Sequence, residues 1–351
     1  MPNSLQLALR YDMRAPAIVP DSPTAQELYH TAVEQCRWAD DHGFETVYLA
    51  EHHGAEDGYC PSPLVLGSAI AGVTRRMQIH LSALCLPMHH PLRLAEDVAV
   101  LDLIAGPGRL LITAGMGYRA HEFDMFGVEF EERVQVYEKA LDVLRQAWTG
   151  EEFEFEGKSV QVTPRPATPG GPTIYIGGNA KPSARRAARM GLGYRPATDA
   201  LYEYYVTQCE ERGLPRPEPY PAHGPAFLHV TRDPERAWQQ VAPHVMHASN
   251  MYANWAKERS SMQVNGYWKS QGSIDELRAN PTMWVMTPEE LVKRCQAMGS
   301  EYELRMPALL GGLPPQLSWE SLELFASDVL PRLEKLGLRQ PAGVPSDGRL
   351  A

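Results

Sequence analysis

The chain has 351 residues, 44% of them hydrophobic and 22% charged, and a formal net charge of −10. That is globular composition, with enough apolar sequence for one large core or two ordinary ones. The acidic balance, without any stripe of Lys or Arg, argues against a nucleic-acid or anionic-membrane partner.

Five dispersed cysteines (Cys36, Cys60, Cys85, Cys209 and Cys295) include no CxxC pair. They fit reduced thiols in a cytoplasmic protein better than a disulfide or zinc framework. No window reaches transmembrane length, so no membrane partner is expected.

In chain order, Leu5 to Tyr11 reads as a strand. Residues 24–42 follow as a helix with Leu28, Ala32, Cys36 and Ala39 at three- and four-residue spacings. Gly43 sits where a helix-ending glycine belongs, and Phe44 to Ala50 is a second strand. The alternation continues with a helix over 62–74, a strand over 78–86, a helix over 92–105 and a strand over 109–114. A long helix over 131–148 precedes a strand-like detour, 152–162, that turns at Gly157-Lys158. The rhythm resumes with strands at 173–176, 194–197, 227–231 and 302–310, and with helices from Pro182, over 199–212, from Pro234, over 288–298 and over 318–335.

Eight strands, each followed by a helix, predict an α/β protein built as a (β/α)8 TIM barrel rather than a doubly wound open sheet. Residues 1–338 are expected to form one barrel domain and 339–351 a flexible tail. The Pro-rich run 215–221 reads as a stiff surface loop. Residues 251–286, with Tyr252, Trp255, Tyr267, Trp268 and Trp284, lack clean periodicity. They read as a long irregular insertion, a lid or substrate wall, with an aromatic surface loop as the plainer alternative.

In a barrel the site lies at the C-terminal ends of the strands. Four features fall there. Glu51-His52-His53 follows the second strand, where an imidazole could move a proton with a carboxylate to orient it; by chemistry alone it stands between ligand, base and exposed loop. Ser82-Ala83 ends the third strand with small side chains, which also suit ordinary packing. Gly115-Met116-Gly117-Tyr118-Arg119-Ala120 matches a dinucleotide fingerprint, but three βα units precede it, so the glycines better serve close passage of a ring system. Gly177-Gly178-Asn179-Ala180, with Ser183 two residues beyond Lys181, opens a helix and could grip a phosphate, or be a plain turn. His89-His90 is the only other histidine pair, and no metal-ligand set emerges.

Together these segments resemble the bacterial-luciferase-like monooxygenases. The likeness is carried by Phe44 to His53 (FETVYLAEHH), Leu86 to Leu101 (LPMHHPLRLAEDVAVL), Gly115 to Phe123 (GMGYRAHEF), Arg133 to Gly150, Ile176 to Gly191 and Ser321 to Leu330. The resemblance implies a (β/α)8 barrel that binds FMN or the deazaflavin F420, with Glu-His-His favouring FMN. It implies that His52 stands near the reactive flavin face, helped by Glu51 and His53. Ser82-Ala83 matches a bulge that in relatives holds a non-proline cis peptide, and Gly115, Met116 and Gly117 match a flavin-lining segment. Gly177, Gly178, Asn179, Ala180 and Ser183 match the phosphate-gripping turn. The chain departs from the family pattern at Gly115 and Met116, which replace a reactive cysteine and an arginine. It departs again at Gly191-Leu192-Gly193-Tyr194, where many relatives carry Asp-Gly.

The implied activity is a two-component monooxygenase. Reduced FMN from a separate NAD(P)H flavin reductase reacts with O2 to a C4a-peroxyflavin, which oxygenates a small, largely apolar substrate. A homodimer is implied as well. The alternatives are an F420-dependent reductase or dehydrogenase transferring hydride, a non-catalytic flavin-binding subunit, and a metal-dependent barrel hydrolase.

Overall fold

The computed structural model describes residues 4–218, 222–257 and 269–341. Its strands are β1 (Gln6–Tyr11), β2 (Thr46–Leu49), β3 (Gln78–Cys85), β4 (Leu110–Gly115), β5 (Phe153–Phe155), β6 (Lys158–Val160), β7 (Thr173–Gly177), β8 (Gly193–Arg195), β9 (Ala222–Gly224), β10 (Phe227–Val230), β11 (Met283–Met286) and β12 (Tyr302–Met306). The helices are α1 (Ala25–Asp41), α2 (Pro63–Val73), α3 (Pro91–Ala105), α4 (Ala120–Phe126), α5 (Arg133–Ala147), α6 (Lys181–Met190), α7 (Asp199–Glu210), α8 (Pro234–Lys257), α9 (Ile274–Ala279), α10 (Pro288–Met298), α11 (Pro315–Leu324) and α12 (Leu330–Lys335). The chain divides into two compact units. One comprises Met1–Tyr48, Glu56–Tyr59 and Pro221–Ala351; the other comprises Leu49–Ala55 and Cys60–Tyr220.

In the first unit β1 pairs in parallel with β12, and β12 with β9. The strands are apolar because helices cover them: Leu7, Ala8, Leu9 and Tyr11 of β1 are fully buried. α1 starts cleanly because Thr24 and Glu27 form a reciprocal capping box. Gln35 of α1 then takes a hydrogen bond from Tyr11 and gives one to Ser318 of α11. β10 and β11 form a separate parallel pair whose cover is the apolar stripe of α8, including Val241, Ala242, Val245 and Ala248.

In the second unit β3, β4, β7 and β8 pair in that order, all parallel. The β3–β4 register slips between Ser82 and Leu84, so Ala83 bulges out of the ladder. The detour after α5 is the short antiparallel hairpin β5–β6, turning through Glu156 and Gly157. α5 is pinned from below, since Tyr137 donates to the Ala114 carbonyl at 3.0 Å.

Several expectations change. A helix absent from the sequence reading, α4, stands between β4 and α5, ended by Gly127 in the left-handed region. The described part of 251–286 is regular: it holds the end of α8, all of α9 and β11. Its periodicity is broken because three short elements of different period follow one another; Tyr267 and Trp268 lie outside the described residues. The stretch near Phe227 pairs with β11, while β9 takes the place beside β12. Arg339, expected in a loose tail, is buried and donates to the carbonyl of Leu5 at 2.6 Å and to Glu45. Residues 342–351 are outside the description.

Candidate active site

Glu51, His52 and His53 follow directly on β2, and all three are buried. The backbone holds them first: the Glu51 N–H donates to the Ala83 carbonyl, and the His52 N–H to the Cys60 carbonyl. Glu51 is then the centre of a small network. Its Oε1 accepts from His53 Nε2 at 3.0 Å and from His89 Nε2 at 2.8 Å, and its Oε2 accepts the Cys85 N–H. Burial works to raise the Glu51 pKa. The hydrogen bonds from His53 and His89, the charge of His89 and the Cys85 amide outweigh it, and the carboxyl stays below its usual range.

His52 belongs to a second network. Its Nδ1 lies 2.9 Å from Glu122 Oε1, which also accepts the His53 N–H at 3.1 Å and Arg119 Nη1 at 3.3 Å. A carboxylate only accepts, so Nδ1 carries a proton; when the ring is neutral, its lone pair is at Nε2. Glu122 sits in the first turn of α4, where a negative charge is favoured. Burial pushes its pKa up, but the His52 hydrogen bond and charge, the His53 amide and Arg119 hold it below the usual range. Its Oε2 is buried without a hydrogen-bond partner among the described residues.

The ring of His52 meets Tyr118 edge-on at 5.6 Å, and that of His53 meets Phe126 at 4.6 Å. The nearby Cys85 thiol is kept protonated: burial first, then the charges of Glu51 and Glu122, raise its pKa well above the ordinary thiol value.

The structure brings the strand-end segments together. Ala83 accepts from Glu51, and a Cβ on Gly115 would come within 2.8 Å of the Ala83 methyl. The Ser82–Ala83 peptide bond is cis. Gly117 takes a positive φ of 75° beside the ring of Phe123. Gly177 is hemmed by the Ala114 carbonyl, 3.0 Å from where a Cβ would sit. Among the described residues, no hydrogen bond or ring contact ties the Met116 side chain to the network.

The α6 turn is built differently. Gly178 has φ +118°, its carbonyl accepts from Tyr194 at 2.7 Å, and Asn179 Oδ1 accepts the Ala197 N–H at 2.8 Å. Ala180 is the N-cap and offers no side-chain acceptor; the first turn carries no acidic residue. The helix thus begins uncapped and with its positive end unneutralised, which suits a phosphate. A flavin mononucleotide therefore fits the residues present: an anion-ready turn at α6 and close, side-chain-free backbone at Gly115.

Sequence reasoning missed Glu122, Arg119 and His89 as members of the site. Arg119 and Glu122 show the i, i+3 spacing of a helical ion pair inside a segment already singled out, and His89 had been weighed only as a metal ligand.

Known proteins bear on this geometry. The chain superimposes with a TM-score of 0.70 on the oxygenating constituent of the 3,6-diketocamphane monooxygenase of Pseudomonas putida, solved in complex with FMN. The likeness has 17% identity and covers 95% of this chain and 99% of that one. At that identity it speaks for the fold, the luciferase-like (β/α)8 barrel. A model of the luciferase-like monooxygenase family matches residues 12–306, and the chain belongs to that family. It is 28% identical over 326 residues to the 4-hydroxyprotoasukamycin monooxygenase of Streptomyces nodosus subsp. asukaensis, covering 86% of this chain and 85% of that one. It is also 28% identical over 171 residues to the alkanal monooxygenase alpha chain of Photorhabdus laumondii subsp. laumondii, covering 47% of each. The chain spans about half the length of several curated relatives it matches, the alkanal monooxygenase among them.

Proposed function

We propose that the chain is the oxygenase component of a two-component flavin monooxygenase, using reduced FMN and O2 to oxygenate a small, largely apolar organic substrate. The observation that carries this reading is the pair His52–Glu122 at the end of β2, in the same unit as the uncapped turn of α6. Family membership and the FMN in the Pseudomonas putida neighbour support it.

When bound, reduced FMN supplies the electrons that activate oxygen. The chain's residues do the rest. Gly177, Gly178, Asn179, Ala180 and Ser183 hold the phosphate at the α6 N-terminus. Ser82, Ala83, Gly115, Met116 and Gly117 line the ring. Glu122 fixes His52 so that Nε2 takes or returns a proton, Glu51 orients His53, and the protonated Cys85 thiol stays out of the chemistry.

A separate NAD(P)H flavin reductase fits this reading, as does a cytoplasmic setting in which the five free cysteines stay reduced. We propose one barrel domain per chain and a homodimer, supported by the exposed Val73, Leu103 and Ile104 on α2 and α3. Among the described residues, no helix is long and apolar enough to cross a membrane.

The test is to load the protein with reduced FMN, mix it with oxygen in a stopped-flow cell and follow flavin reoxidation. His52→Ala should slow the oxygen reaction by about a hundredfold, the scale of lost acid–base assistance. Glu122→Gln, which keeps the shape but not the charge, should slow it less and shift its pH profile. Tight F420 binding with no FMN-dependent oxygen reaction would overturn the reading in favour of hydride transfer.

A further inference from the structure

We propose that His89 is a positioning residue for this reaction, holding Glu51 in place from the wall of a solvent-reachable cavity. The inference rests on the reading that Glu51 and His53 serve the flavin chemistry.

A fully buried carboxylate such as Glu51 is tolerable only if its oxygens are occupied by donors. Two of the three donors, the Cys85 amide and the His53 ring, belong to the site itself. The third is His89, which stands just after β3 and before α3 and brings its Nε2 to 2.8 Å from Oε1. Because the carboxylate accepts at Oε1 from both imidazoles, the direction of its plane is set by a balance between them. Removing His89 leaves His53 to pull Oε1 alone, and the Cys85 amide bond to Oε2 must turn with it.

Unlike the other members, His89 is reachable. Its side chain is 24% exposed, against 0% for Glu51 and 9% for His53. It lines a cavity of about 580 Å³ between α2 and α3, with Pro61, Ser62, Ser68, Arg93 and Val100 among its walls. That volume exceeds an imidazole several times over. Arg93 is engaged on the α3 surface with Asp97 at 2.8 Å and with Glu96, so it does not compete for Glu51. The cavity therefore offers a route by which a small nitrogen base can replace a truncated His89 and donate to the same oxygen.

The experiment is chemical rescue. Full-length His89→Ala, His89→Gln and Glu51→Gln are loaded with reduced FMN, and oxygen-dependent reoxidation is timed across pH with and without added imidazole. His89→Ala should react roughly tenfold more slowly, the scale of one hydrogen bond to a charged group. Imidazole should restore the rate saturably, without changing thermal stability, and His89→Gln should retain part of it through its amide N–H. An unaltered rate in His89→Ala overturns the proposal. So does a slow variant that imidazole does not rescue, or one whose loss is matched by lower FMN affinity and stability. If Glu51→Gln slows the reaction while His89→Ala does not, only this inference fails. If Glu51→Gln and His52→Ala both react as wild type, the proposed function fails.

Discussion

Both units of the chain bury carboxylates against histidines, and they do it in opposite ways. In the second unit Glu51 and Glu122 accept from imidazoles and backbone amides, with Arg119 at the margin. In the first, a guanidinium does the work. Arg14 has no exposed surface, pairs through Nη1 with Asp57, and lies 3.5 Å through Nε from Asp12. The rings of Tyr59, Tyr252 and Trp255 surround it with centroids 4.6, 5.2 and 4.6 Å from Cζ. His247 reaches the same Asp57 oxygen at 2.7 Å. A permanent cation caged by rings suits a fixed structural joint, whereas imidazoles, which can both give and take a proton, suit a site that moves protons. The comparison teaches that a buried ion pair is not in itself a sign of chemistry; what the charge is paired with decides.

The sharpest way to break that contrast is Arg14→Met. It strands Asp57 beside His247 and removes the partner of Asp12 while keeping volume against the three rings. Breaking a buried pair on one side costs about 3–5 kcal/mol. Urea denaturation should show a loss of that size, with flavin binding per folded molecule preserved. A loss under about 1 kcal/mol would mean that Arg14 is dispensable to its unit, a far weaker joint than the geometry suggests.

Acid titration comes next. Glu51, Glu122 and Asp57 have depressed pKa values: burial opposes their charge but their donors overcome it. A group with a depressed folded-state pKa stabilises the fold above its unfolded pKa, and that stability is lost as pH falls through the folded value. Asp12 is the reverse. Burial raises its pKa more than Arg14 and the amides of Gly311 and Arg14 lower it, so its penalty is relieved as pH falls. The urea midpoint should therefore drop on acidification below the ordinary carboxylate range. Glu51→Gln and Glu122→Gln should flatten that slope, whereas Asp12→Asn should act above that range, abolishing the gain in stability that protonation of Asp12 brings as pH falls toward it. Wild-type profiles in all three variants would show that these carboxylates do not carry the acid response.

The two clusters also differ in how far they could be read from the sequence. Glu51-His52-His53 is contiguous and ends a strand, so position and chemistry coincide within three residues. Its partners Glu122 and His89 come from 70 and 38 residues away. The Arg14 cluster was invisible, because its members are scattered at 12, 14, 57, 59, 247, 252 and 255 with no motif that links them. Tyr252 and Trp255 were noticed as aromatics, but nothing local says that they face a guanidinium. The βα alternation was legible because the strands are short apolar runs and some helix starts carry a local signal, a capping box at Thr24 and a proline at the first position of α2. α4 escaped because seven residues give no full apolar repeat, and β9 and β11 because three- and four-residue strands carry almost no period.

The smallest effect is expected at the turn proposed to hold the phosphate, where backbone rather than side-chain charge would do the holding. Gly178 sits at φ +118°, a conformation that a side chain resists, and a Cβ there would lie 2.7 Å from Ser183 Oγ. The hydroxyl can swing away, so the crowding is relieved cheaply; the backbone strain is not. Gly178→Ala should therefore weaken FMN about fivefold, near 1 kcal/mol, in a fluorescence titration. Adding Ser183→Ala relieves the crowding but leaves the strain and takes away a hydroxyl assigned to the phosphate, so the double variant should bind FMN no more tightly than Gly178→Ala. If the double variant instead recovered wild-type affinity, Ser183 would be merely an obstacle at that turn. If neither variant weakened FMN, the phosphate would have to be held away from α6. The histidine clusters and the backbone proposed to line the ring at Ala83 and Gly115 would then be the flavin-directed features of this unit left standing.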